Sequence, residues 1–162
     1  VRGSQRRREQ LVATDTTEPE SDGFSAAERE AMKQRAAELR AEGRGGAKKA
    51  DALQACLDRI ASMEGTDRML AERVHATVTE HAPDLAPKTW YGMPAYANAA
   101  GKVVIFFQDA GKFEARYASL GFNDMATLDD GDMWPTSFAL VAWNDDVEAR
   151  VAELVRAAVA DT

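Results

Sequence analysis

The stretch Trp90-Tyr91-Gly92-Met93-Pro94-Ala95-Tyr96, with Gly101-Lys102-Val103-Val104-Ile105-Phe106-Phe107-Gln108 close behind it, decides the fold class. Two aromatics run into a Gly, a Pro and a third aromatic. Asn98-Ala99-Ala100-Gly101 has turn chemistry, and an unbroken apolar run follows it. Aromatic and β-branched residues punctuated by Gly, Pro and Asn read as strands on tight connections. Strands are expected at Lys88 to Tyr91, Ala95 to Ala97 and Val103 to Gln108. The third has apolar residues on both faces, which predicts a central position.

Downstream, Phe113, Ala115 and Tyr117 alternate with Glu114 and Arg116, the pattern of a half-buried strand running toward Leu120. Gly121 to Asp132 reads as a loop and Ser137 to Trp143 as a last strand. Asn144 or Asp145 then caps a closing helix, whose buried stripe is Val147, Val151, Leu154, Val155, Ala158 and Val159.

Upstream the chain reads as helical. Ser25-Ala26-Ala27-Glu28 is a capping box that starts a helix running to about Ala41 and stopping at Gly43. Its apolar face is thin, mainly Met32, Ala36 and Leu39, which places it on the surface of the core. Its charges, Glu28 with Lys33 and Glu38 with Arg40, read as a solvated face. Gly43 to Lys49 is a flexible basic linker that lacks the ending of a P-loop. A second helix, about Ala50 to Met63, lines up Leu53, Cys56, Leu57 and Ile60. A third is capped by Thr66 or Asp67, repeats Leu70, Val74 and Val78, and ends before Pro83. Residues 1–22 hold too few apolar groups to offset ordering and read as a disordered tail. The expected organisation is that tail, a helical extension over 23–63 and an α+β domain over 64–162. Its sheet has four to six mainly antiparallel strands packed against helices.

The 162 residues carry a net charge of −7, and residues 113–162 hold all of it. An acidic sheet-and-tail half repels phosphate backbones, so a nucleic-acid partner is not expected. No apolar run approaches the ~18 residues of a membrane span, and no membrane partner is expected. Val1-Arg2-Gly3-Ser4 leads into no apolar segment, so no secretory signal is read there. One cysteine, Cys56, permits no internal disulfide, in keeping with a cytoplasmic setting. His75 and His81 are six apart, about 240° around a helix, and cannot form a helical metal pair. There is no nucleophile elbow, no His-Glu-x-x-His and no Gly-rich nucleotide fingerprint, so no catalytic residue is assigned.

Two groups of side chains are site candidates. Asp124, Asp129, Asp130 and Asp132 fall within nine residues, and clustered carboxylates are hard donors suited to iron, manganese or calcium. Their spacing is not that of an EF-hand, and a solubilising loop is the competing reading. Trp90, Tyr91, Met93, Tyr96, Phe107, Tyr117 and Trp134 would meet at one end of the sheet. They describe an apolar small-molecule pocket with a few hydroxyls, or an ordinary core.

From about Glu64 to Ala160 the chain resembles the YdhG-like family, a domain of unknown function whose better-known member is a frataxin-like iron chaperone. The likeness rests on Ala82-Pro83-Asp84 at a helix end, on Tyr91-Gly92-Met93-Pro94-Ala95-Tyr96, and on Gly101-Lys102 with Val103 to Phe107. Asp132-Met133-Trp134-Pro135-Thr136 departs from the Gly-Thr-Ile-Arg/Gln-Phe strand of many members. The resemblance implies a frataxin-like α+β fold and a non-enzymatic iron-handling role. Iron would be held loosely on surface carboxylates, with iron-receiving proteins as partners. The alternative is a small-molecule binding domain using the aromatic pocket.

Overall fold

Two short hairpins start the sheet, and longer loops join its last two strands. In the computed structural model, which describes residues 23–43 and 49–161, the helices are α1 (Ala26–Gly43), α2 (Lys49–Ala61), α3 (Gly65–His81) and α4 (Asp145–Ala158). The strands are β1 (Ala86–Trp90), β2 (Met93–Ala97), β3 (Val103–Gln108), β4 (Ala118–Phe122) and β5 (Ser137–Leu140). They form an antiparallel meander in the order β1-β2-β3-β4-β5, with β3 at its centre. The fold is therefore α+β with an antiparallel sheet, as expected. The tail read over 1–22 and the linker residues 44–48 lie outside the described residues. Among the described residues no helix is long and apolar enough to cross a membrane.

Trp90 pairs with Met93, so Tyr91 and Gly92 alone make the β1–β2 turn. Both have positive φ, 53° and 72°. That is the primed type of turn that matches strand twist. Gly adopts it freely, but an aromatic residue there is strained and needs outside support.

Register sorts the side chains onto two faces. Tyr96, Ile105 and Phe122 share one row across β2, β3 and β4, and Phe107, Leu120 and Phe138 share the next. Against this face pack Cys56 and Ile60 of α2, Leu70, Val74 and Val78 of α3, and Val151, Leu154 and Val155 of α4. The α3 and α4 stripes are those read from the sequence. On the other face Trp90 stands beside Met93, and Phe106 lies between Ala95 and Gly121. The Phe106 ring covers Gly121 so closely that an added Cβ would strike it. Trp90 packs on Phe106 with ring centroids 5.3 Å apart. α1 lies over this second face at the β1–β2 end.

Several local expectations are corrected. Phe113 to Arg116 is a series of turns rather than strand, with Glu114 at φ 51° and the Ala115 N–H donating to the Ala110 carbonyl. The strand starts at Ala118 and runs through Gly121 and Phe122, which the sequence suggested were loop. β5 stops at Leu140. Asp67 does not cap its own helix. Its carboxylate accepts from the Ala110 and Gly111 N–H groups, 3.1 and 2.8 Å away, and so holds the β3–β4 connection. α1 turns Ala31, Gln34, Arg35 and Glu38 inward, leaving Met32 39% and Leu39 51% exposed. Two caps stand as read: Glu28 N–H donates to Ser25 Oγ, and Val147 N–H to Asn144 Oδ1. The 23–63 segment also shares the main core, because Cys56, Ile60 and Met63 belong to the same cluster as α3 and α4.

A substitution at the turn tests this account. In Gly92→Ala the new methyl would meet the Gln34 and Lys112 side chains at a φ of 72°. Strain and displacement together should cost about 2–3 kcal/mol in urea unfolding. A loss below about 0.5 kcal/mol would mean that the turn is not held as described.

Candidate functional site

The best-organised polar cluster surrounds the Tyr91–Gly92 turn. Glu38 of α1 accepts hydrogen bonds from both turn amides, Tyr91 N–H at 3.1 Å and Gly92 N–H at 3.1 Å. From α2, Arg59 Nε donates to the Gly92 carbonyl at 2.7 Å. Its Nη2 reaches both oxygens of Asp109, at 2.9 and 3.0 Å. Asp109 is 4% exposed, so this charge is buried only because it is paired. Lys112 donates to Gln34, and burial first and Arg59 second hold its ammonium below the usual lysine range. These groups are engaged with one another and with the backbone, which makes the cluster a structural clamp. Glu38, which looked solvated in sequence, is one of its two jaws.

A second cluster lies in the core. The Tyr96 hydroxyl is 3.0 Å from His75 Nδ1. Burial, then the nearby Cys56 thiol, pushes Tyr96 well above its ordinary value. Cys56 is fully buried, and that burial lifts its thiol to about 11. A thiol so raised supplies almost no thiolate near neutral pH. Cys56 behaves as the small buried hydrophobe its helical position suggested.

The seven aromatic-site candidates do not line one pocket. Strand alternation puts Tyr96 and Phe107 in the core, both 0% exposed, and Trp90 and Met93 on the opposite face. Tyr91 occupies the turn. Tyr117 precedes β4 and is 38% exposed, and Trp134 sits half-buried in the loop between β4 and β5. The sequence showed the aromatic residues but not their register.

The acidic candidates are all exposed. Among the described residues no three His, Cys, Asp or Glu side chains converge as a metal-holding cluster. The loop that carries them is pinned elsewhere: Asn123 N–H donates to the Val104 carbonyl, and Thr127 Oγ1 to the Ala157 carbonyl at 2.7 Å. Between these anchors the loop opens a cleft of about 600 Å3. Asp124, Asp129 and Asp132 line it together with Trp134, Phe122 and Leu128. Asp130 lines a neighbouring cleft with Arg150 and Glu153 instead. Members of both candidate groups thus share one cavity, a junction that sequence spacing could not reveal because Phe122 and Trp134 come from opposite ends of the loop.

No family model, no curated protein and no solved structure matches the chain.

The His75–Tyr96 pair yields a pH prediction. Burial holds the His75 imidazole below its ordinary 6.5. The unfolded chain therefore binds the proton more readily, and stability from this site is complete above the unfolded value and lost as pH falls through it. The melting temperature should drop between about pH 7.5 and about pH 5, and the drop should be smaller in His75→Gln. Equal drops in the two proteins would contradict the assignment.

Proposed function

We propose that this protein is a non-enzymatic binding domain that takes a small organic cation into the cleft of the β4–β5 loop. One observation carries the reading: carboxylates and the Trp134 side chain border the same 600 Å3 space. An indole face attracts a cation through its quadrupole, by about 0.5–2 kcal/mol depending on desolvation. Phe122 and Leu128 supply an apolar floor for the body of the ligand, and Asp124, Asp129 and Asp132 supply the field that selects its charge. The acidic half of the chain adds to that field. The lining provides binding groups rather than a nucleophile paired with a base.

The iron cargo implied by the YdhG-like resemblance fits this donor set less well. A hard cation needs several oxygens within about 2–2.6 Å of one point, and these carboxylates do not converge. A larger cation with spread charge needs only their combined field.

The test is a 1H–15N NMR titration with benzyltrimethylammonium, with benzyl alcohol as the neutral control. The cation should shift the Trp134 indole and the amides of 124–132, with a dissociation constant on the order of 0.1–1 mM. Asp129→Asn with Asp132→Asn should weaken it about fivefold to tenfold. Equal shifts with benzyl alcohol, or none with either probe, would remove the proposal. So would anaerobic Fe(II) binding at these residues with no response to the organic cation, which would favour the iron role instead.

A further inference from the structure

Beside Arg35 of α1 lies another cleft, of about 300 Å3. Arg35, Lys88 and Lys102 line it beside the Trp90 ring, and Asp124 is the one carboxylate in its lining. Three cations in one small cavity stand out in a chain of net charge −7. We propose that this cleft binds a small phosphate-bearing anion.

The cations differ in how far they are already neutralised. Lys88 is bound to Glu42, whose carboxyl this hydrogen bond holds below its ordinary value. Arg35 makes both of its ion pairs, 3.4 Å to Glu38 and 3.7 Å to Glu42, through Nη1. Glu38 is meanwhile occupied by two backbone amides. The Arg35 guanidinium is held over the Tyr91 ring, 5.9 Å from its centroid, and its Nε and Nη2 are left for a ligand among the described residues. Lys102 forms no ion pair among the described residues. Its backbone is fixed all the same: its N–H donates to Asn98 Oδ1 at 3.0 Å, and its carbonyl accepts from Asn98 N–H at 2.9 Å.

A guanidinium fork and an ammonium arriving from separate elements suit a tetrahedral anion with three peripheral oxygens better than a flat carboxylate. Trp90 is braced by Tyr91 and Phe106, with centroids 4.9 and 5.3 Å away, so it presents a rigid wall for whatever group bears the phosphate. Asp124 opposes the anion, and its charge sets a measurable sign. This cleft shares Asn123 and Asp124 with the Trp134 cleft but stands on its own cations.

Calorimetric titration of the full chain with pyrophosphate, with inorganic phosphate and with citrate tests the proposal. Pyrophosphate should bind, more weakly as salt is raised. One unit charge near a surface anion is worth about a fivefold change. Lys102→Gln should therefore weaken binding about fivefold, and Asp124→Asn should strengthen it by a similar factor. No heat from folded protein would overturn the proposal. Unchanged affinity in both variants would also overturn it, by placing the anion on other basic residues. Citrate binding tighter than pyrophosphate would overturn the phosphate assignment.

Discussion

One carboxylate placed against two backbone amides organises this fold. The Tyr91–Gly92 turn demands positive φ at an aromatic residue, and its two N–H groups point away from the sheet ladder. Buried amides without an acceptor cost on the order of a kilocalorie each, and an ionised acceptor returns more than a neutral one. Glu38 supplies that acceptor, so α1 must present its polar side to the sheet. Arg59 of α2, itself paired with Asp109 just past β3, then fixes the same turn, and Asp67 fixes the β3–β4 connection. Both ends of the clamp are helices, and between them they set the register of β1 on β2.

This constraint explains where the sequence was legible. The strand Val103–Gln108, the α4 stripe and the Ser25 and Asn144 caps follow from local rules of period and hydrogen bonding, and they stand where those rules put them. For α1, period alone would turn the apolar residues inward. The inward face is decided by a turn more than fifty residues away, and Met32 and Leu39 are left outside as a result. Asp67 shows the same effect: a residue placed like a helix cap serves a distant loop. Phe113–Tyr117 alternates like a strand, but the Asp67-held turn at 110–111 carries the chain out of the ladder before Ala118.

The candidate sites were half legible. Composition exposed the acidic loop and the aromatic residues. It could not show that register would scatter most of the aromatics between two faces and leave Trp134 alone beside the carboxylates. Nor could it show basic residues from α1, β1 and the β2–β3 turn meeting at Trp90. Charge is therefore unevenly placed along this sequence, and acidic and basic side chains also gather in separate clefts. The basic cleft depends on the clamp indirectly, because Arg35 and Trp90, which line it, flank the residues the clamp holds.

Amide hydrogen exchange at Tyr91 and Gly92 tests the clamp most directly. Glu38→Gln keeps the shape of the side chain, removes its charge and leaves one acceptor oxygen for two donors. If Glu38 holds the turn, at least one of these amides should exchange about tenfold faster in the variant, relative to Leu120 in β4. Equal exchange at Tyr91 and Gly92 in the two proteins would contradict the account.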